Sequence, residues 1–248
     1  MKIKHLKVVL DGFGSNVRYE YDLKKKNWFN IGGKTKVFFN ADNLKELIKF
    51  LKILNNEERI FVLGAGSNTL ISDDIFDGVI IKLSKNFNSL SLLGEDILIA
   101  GSAVLDKKVS DFAKENNLSG FEFLSCIPGT IGGGIRMNAG CFGKEIKDIL
   151  ISIQAIDKLG NIKTINREDI KFEYRKNNLP EDLIFLSASF RGKKSQYDRI
   201  LVETNKLKAE KEKNQPTRIK TSGSTFKNPI TQTKKKVWEL IKESVPLD

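Results

Sequence analysis

Six glycines fall within the fifteen positions from Gly129 to Gly143, in Cys126-Ile127-Pro128-Gly129-Thr130-Ile131-Gly132-Gly133-Gly134 and then Met137-Asn138-Ala139-Gly140-Cys141-Phe142-Gly143. In regular structure each glycine costs roughly 0.5–1 kcal/mol relative to alanine, so this density opposes an ordinary helix or strand. Extended Gly-rich backbone marks places where a ligand or another backbone comes close. Thr130 and Asn138, spaced among the glycines, are polar groups that a plain loop would not need. The run therefore predicts backbone lying against a flat or bulky ligand.

A second glycine segment, Leu63-Gly64-Ala65-Gly66-Ser67-Asn68-Thr69-Leu70, follows the apolar run Ile60-Phe61-Val62-Leu63, which reads as a buried strand. Glycines there allow positive φ, so successive N–H groups can converge on a phosphate. The segment is not the dinucleotide fingerprint of a Rossmann fold, because the third glycine position holds Thr69. Nor is there a P-loop: Gly33-Lys34-Thr35 imitates the end of one, but its first glycine would fall at Trp28. Alone, this turn fits a structural role as well as a phosphate site.

Composition removes several functions. At 248 residues, with 40% hydrophobic and 29% charged residues, the chain suits one or two globular domains. The net charge of +11 comes mostly from dispersed lysines. The runs at 24–26 and 234–236 lack interleaved aromatic platforms, so a small anionic substrate is expected rather than nucleic acid. No apolar run reaches the roughly 18 residues of a membrane span, and the N-terminus does not resemble a signal peptide. Two cysteines, Cys126 and Cys141, suggest a reducing cytoplasm and inert buried thiols. The one histidine, His5, leaves no basis for a Ser-His-Asp or Cys-His pair or a multi-histidine zinc site, and no metal is expected.

Periodicity predicts an α+β fold without regular βαβ alternation. Strands are expected at 37–39, 60–63, 79–81 and 183–190, and hairpins at 90–93/97–100 and 151–157/162–165. Leu44, Leu47, Ile48 and Leu51 follow i, i+3, i+4, i+7 spacing, with Asp42 as the expected N-cap. A second helix is expected around 105–116, with Leu105, Val109, Phe112 and Ala113 on one face. A lysine-rich helix after Asp198 ends before Pro216.

Taken in order, the glycine segments resemble the UDP-N-acetylenolpyruvoylglucosamine reductases. Further matching motifs are Trp28-Phe29-Asn30-Ile31-Gly32-Gly33, Phe172-Glu173-Tyr174-Arg175, Gln215-Pro216 and Gly223-Ser224-Thr225-Phe226-Lys227-Asn228-Pro229. The resemblance implies a PCMH-type FAD-binding domain of two subdomains, here 24–194, and an incomplete C-terminal substrate-binding domain, 195–248. It implies that Gly64, Ala65, Gly66, Ser67 and Asn68 face the FAD pyrophosphate. Pro128, Gly129, Thr130, Gly132 and Gly133 would line the cofactor, with Asn138, Ala139 and Gly140 close by. His5 lies outside these motifs, so the FAD is expected to be non-covalent.

The reaction implied is hydride transfer from NADPH through the flavin to the double bond of UDP-N-acetylglucosamine enolpyruvate, giving UDP-N-acetylmuramate for peptidoglycan. By motif match, Arg175 clamps the substrate carboxylate and Ser224 donates the proton. Tyr174, Lys211 and Asn228 are matched to substrate binding. The partner implied is thus a nucleotide-sugar small molecule, handled by a cytoplasmic monomer without membrane insertion. Two departures stand out. Asn177 replaces the serine usual two residues after Arg175, and the chain stops before the family's C-terminal glutamate. The alternative is therefore an FAD-binding remnant with little turnover, whose helix near 237–241 would expose Trp238 and Ile241.

Overall fold

The computed structural model describes residues 7, 9–215, 226–229 and 231–245. His5, Pro216, Ser224 with its neighbours at 223 and 225, and positions 246–248 lie outside the described residues. Strands β1 (Val17–Asp22), β2 (Lys34–Ala41), β3 (Ile60–Val62) and β4 (Phe76–Leu83) form one sheet in the order β1-β2-β4-β3. β1 is antiparallel to β2, whereas β2 and β3 both run parallel to β4. Helix α1 (Leu44–Leu54) links β2 to β3, a parallel crossover that the sequence reading did not anticipate. Parallel strands are covered on both faces. Val37, Phe39, Val79 and Ile81 accordingly meet α1 through Leu47, Phe50, Leu51 and Leu54. Phe38 and Ile80 face the other way, onto Leu23 and Leu63. The Phe39 and Phe50 rings stack at 3.9 Å.

Two local expectations are corrected. Asn43, not Asp42, caps α1: its side chain accepts from the Glu46 N–H at 2.9 Å. Asp42 is engaged elsewhere, accepting from the Ser84 hydroxyl at 2.6 Å and pairing with Lys85. The 60–63 run is not a buried strand throughout. β3 is an edge strand with Phe61 45% exposed, and only Leu63, just beyond it, is buried.

The second sheet is antiparallel throughout. It contains β5 (Leu90–Leu93), β6 (Ile97–Gly101), β7 (Leu150–Ile156), β8 (Ile162–Asn166) and β9 (Ile184–Arg191), in the order β8-β7-β9-β6-β5. Both expected hairpins, β5–β6 and β7–β8, are present. Helices α2 (Asp106–Glu115) and α3 (Ile131–Arg136) cover this sheet: Val109, Ala113, Ile131 and Ile135 pack with Leu98, Ile153, Ala188 and Phe190. Ile156, Ile184 and Leu186 from the same sheet join the α1 cluster, so the two sheets share part of one interior. Helix α4 (Tyr197–Asn214) packs on the turn Glu122–Cys126 and on α2, burying Ile200 and Thr204. The short helix α5 (Val237–Ser244) leaves Trp238 and Ile241 exposed. The whole is the expected α+β frame, with both glycine segments at the seam between the sheets.

Candidate cofactor and substrate site

The chain leaves β3 through Leu63 and turns at 64–68. Gly66 has φ +69°, and a Cβ there would sit 2.1 Å from the Lys26 carbonyl oxygen, so this position requires glycine. The Gly66 carbonyl accepts from the Trp28 N–H at 3.0 Å, which seats the Trp28–Gly33 motif beneath the turn. Opposite lies the second segment. The Pro128 carbonyl accepts from Ser67 Oγ at 2.6 Å and from Asn68 Nδ2 at 3.0 Å, across 61 and 60 residues of sequence. Gly64 abuts Thr130, whose Oγ1 would be 2.6 Å from a Cβ on Gly64. Ala65 is half-buried between these contacts. The two glycine segments thus form one continuous seam.

The run after Thr130 is not extended, as its composition suggested, but makes the helical turns of α3. Its first N–H groups are taken up internally: Ile131 donates to the Val104 carbonyl and Gly132 to that of Ser102, both at 2.9 Å. Close packing accounts for several glycines. A Cβ on Gly129 would lie 2.7 Å from the Asp106 carboxylate, and one on Gly134 would lie 2.5 Å from Ile146 Cδ1. Gly133 differs: it is exposed, and a Cβ there would meet only Thr130 Oγ1 at 3.6 Å. It presents bare backbone outward.

Asn138 is fully buried and left-handed, with φ 41°. Its Nδ2 donates to Glu145 Oε2 at 3.0 Å and to the Glu173 carbonyl at 3.1 Å, while Oδ1 accepts from the Lys147 N–H at 3.2 Å. The side chain is committed to the protein, tying the glycine segment to the hairpin that carries Arg175. Ala139 donates to the Gly134 carbonyl at 2.8 Å, and Gly140 pairs with Glu145 in a two-residue ladder.

Tyr174 and Arg175 form the turn between the short strands Phe172–Glu173 and Lys176–Asn177. Arg175 adopts φ 58°, donates from Nη2 to the Gly140 carbonyl at 3.1 Å, and lies over the Tyr174 ring at 5.4 Å. Asn177, in place of the family's serine, donates twice: Nδ2 bonds the carbonyls of Ile135 and Arg136, each at 2.9 Å, docking the hairpin on the end of α3. Lys211 reaches back from α4 to donate to the Cys126 carbonyl at 2.7 Å. Asn228 accepts from the Val237 N–H at 3.0 Å, within the C-terminal segment.

Two charged groups at the seam escaped the sequence reading. Lys82, on β4, donates from Nζ to the Gly64 carbonyl at 2.7 Å. Burial, and then the nearby Lys26 charge, hold its pKa below the usual lysine value. A lysine interrupting the apolar run Val79-Ile80-Ile81 beside a glycine turn was the available signal. Asp106 is completely buried, and neither carboxylate oxygen has a hydrogen-bond partner among the described residues. Burial pushes its pKa up to about 8. No group of three or more metal-ligating side chains occurs among the described residues.

Bare backbone at Gly133, a left-handed glycine turn at Gly66 and a half-buried ammonium at Lys82 fit a planar ring joined to a pyrophosphate. Together with the two-sheet frame, they define the class as an FAD-binding flavoprotein. Residues 35–166 match the family model described as an FAD binding domain. The chain belongs to the UDP-N-acetylenolpyruvoylglucosamine reductase family. The relative of that name from Pelagibacter ubique is 62% identical over 248 residues, which is all of this chain and 82% of the relative. The one from Rickettsia typhi is 45% identical over 222 residues, covering 90% of this chain and 74% of that protein. The solved UDP-N-acetylenolpyruvylglucosamine reductase (MurB) of Thermus caldophilus superposes with a TM-score of 0.79 at 29% identity, covering 92% of this chain and 80% of that one. No helix among the described residues is long and apolar enough to cross a membrane.

Proposed function

We propose that this chain catalyses the NADPH-dependent, FAD-mediated reduction of UDP-N-acetylglucosamine enolpyruvate to UDP-N-acetylmuramate. The observation that carries the reading is the Arg175 contact with Gly140, because it sets a guanidinium at the end of the glycine segment that would line the cofactor. Bound FAD supplies hydride relay between NADPH and the enolpyruvyl double bond. The residues proposed to hold its pyrophosphate are Gly64, Ala65, Gly66, Ser67 and Asn68. Backbone N–H groups act there, since the Ser67 and Asn68 side chains engage Pro128. Lys82 adds the compensating charge. Pro128, Gly129, Thr130, Gly132 and Gly133 line the ring, and Asn138, Ala139 and Gly140 fix the far edge of that wall.

Arg175 keeps further N–H donors beyond the one spent on Gly140, and these grip the substrate carboxylate, where negative charge grows as the double bond is reduced. A fork bound bidentately also orients the double bond. Tyr174 stacks beneath the guanidinium and limits its swing. Ser224 is proposed to deliver the proton to the adjacent carbon, with Lys211 and Asn228 assisting the anionic substrate. The 24–194 portion then serves the cofactor and 195–248 the substrate, in a cytoplasmic monomer. The test is NADPH oxidation dependent on the enolpyruvyl nucleotide sugar, together with flavin release on acid precipitation. Correctly folded protein that takes up no FAD would overturn the reading.

A further inference from the structure

Arg175 sits at the tip of a hairpin with only two paired residues on each side, Phe172–Glu173 and Lys176–Asn177. A ladder this short does not hold its own place, so where Arg175 points depends on what the hairpin is tied to. The entering strand is tied by Asn138, whose Nδ2 donates to the Glu173 carbonyl. The leaving strand is tied by Arg136, the last residue of α3, in two ways. Its backbone carbonyl accepts from Asn177 Nδ2 at 2.9 Å. Its guanidinium reaches the chain beyond the hairpin: Nη1 donates to the Pro180 carbonyl at 2.9 Å and to that of Leu179 at 3.4 Å, and Nη2 donates to that of Leu183 at 2.7 Å. The Phe185 ring, on β9, lies under the guanidinium, 4.3 Å from its carbon. We propose that Arg136 is a positioning residue for the reaction, fixing the exit of the hairpin so that Arg175 is presented at the Gly140 end of the glycine segment. The proposal rests on the reading of Arg175 as the carboxylate clamp.

The chemistry of the side chain suits a bracket. A guanidinium carries five N–H donors in a rigid plane, so one group can gather carbonyls from several residues. All the hydrogen bonds of this one among the described residues go to carbonyls, which makes it a tie for backbone. The tie is passed to the hairpin within two residues. Asn177 Oδ1 accepts from the Leu179 N–H at 3.0 Å, so the residue that docks the hairpin is bonded to one that Arg136 holds. Slack at Leu179 therefore moves Asn177, and Asn177 stands two positions from Arg175. Arg175 has one hydrogen bond of its own, to Gly140, to resist that movement. A misplacement of about 1 Å can cost about 10²-fold in rate, so a loosened hairpin is felt in turnover.

The test uses the full chain loaded with FAD. Arg136→Lys keeps the charge but loses the fork, and should lower kcat with the enolpyruvyl substrate by about tenfold while FAD affinity stays within about threefold. If Arg136 acts through Arg175, the two losses do not add. Arg136→Lys placed in the Arg175→Lys chain should then cost less than about a further twofold. Hydrogen exchange, which needs no turnover, should quicken at residues 173–179 and stay unchanged in α1 and β2. Phe185→Leu removes the ring under the guanidinium and leaves its hydrogen bonds, so it should move both readouts the same way but less.

Unchanged exchange at 173–179 in Arg136→Lys overturns the proposal. So do losses that multiply in the double variant, or an FAD affinity that falls as far as kcat. Absence of turnover in the natural chain counts against the proposed reaction instead, and the exchange measurement then supports or overturns the Arg136 tie by itself.

Discussion

The Arg175 guanidinium rests on the Gly140 carbonyl, Nη2 to oxygen at 3.1 Å, across 35 residues of sequence. The contact joins the hairpin turn to the end of the glycine segment, so the position of the charge depends on a flat donor edge as well as on charge. Arg175→Lys should therefore lower kcat by about 10²-fold or more while leaving FAD affinity nearly unchanged, since an ammonium cannot reproduce the fork. NADPH oxidation with the enolpyruvyl substrate, compared with a flavin titration, separates the two effects. A near-natural kcat in the variant would remove Arg175 from the chemistry.

Lys82 carries a half-buried charge whose hydrogen bond goes to a neutral carbonyl. Lys82→Met should leave the cofactor-free protein as stable as before or more so, because an expensive buried charge is gone. FAD binding should nonetheless weaken by about 10- to 100-fold, the range expected for a lost charge-assisted hydrogen bond. Fluorescence titration with FAD and thermal melts of the cofactor-free protein give the two signs. Unchanged affinity would place the pyrophosphate elsewhere.

Gly133 and Gly134 are neighbours with opposite surroundings. Gly134→Ala should destabilise the fold by about 1–3 kcal/mol, because its methyl meets Ile146 Cδ1 at 2.5 Å inside the core. Gly133→Ala should be more stable than the natural chain by about 0.5–1 kcal/mol, since alanine is the better helix former and its methyl has room, yet bind FAD about tenfold more weakly, a change of about 1.4 kcal/mol. Denaturant curves and flavin titrations on the pair are the measurement. Equal FAD affinity of Gly133→Ala and the natural chain would move the ring off this wall.

Asp106 gives a pH signature. In the folded protein its carboxyl holds a proton up to about pH 8, because burial disfavours the charged form, whereas the unfolded chain releases that proton near the ordinary aspartate value of 3.8. The native state therefore binds more protons across this window, and its stability falls as pH rises from about 4 to about 8. Asp106→Asn should remove this component, so its advantage over the natural chain grows with pH and levels off above about 8. Denaturant midpoints measured for both proteins across that range test the sign. An advantage independent of pH would mean that Asp106 is already ionised.

Much of this frame was legible because local rules decide it. The spacing of Leu44, Leu47, Ile48 and Leu51 specifies α1, and Gly94, with φ +64°, marks the β5–β6 turn. The errors lie where a distant partner decides. Asp42 and Asn43 are both good caps; Asp42 is drawn away by Ser84 and Lys85, which adjoin it only once β4 lies beside β2. The 60–63 run has the apolar content of an interior strand, but nothing local records that β3 has no neighbour on its outer side. The glycine run suggests extended backbone against a ligand, because composition cannot distinguish room for a ligand from room for Ser102, Asp106 and Ile146. Lys82 and Asp106 look like ordinary surface charges in sequence, and only the folded seam buries them.

The interior shared by the two sheets has a mechanical meaning. Ile156, Ile184 and Leu186 are anchored in the antiparallel sheet while helping to line the cluster beneath α1. Prying the lobes apart would wet that cluster, so a wide clamshell motion at the seam is opposed by the same apolar contacts that hold the protein together. A guest entering between the glycine segments must slip past the rim, where the Pro128 carbonyl is latched by Ser67 and Asn68. Both hydrogen bonds run from one glycine segment to a single carbonyl of the other, so the way in is held by polar contacts and the interior behind it by apolar ones.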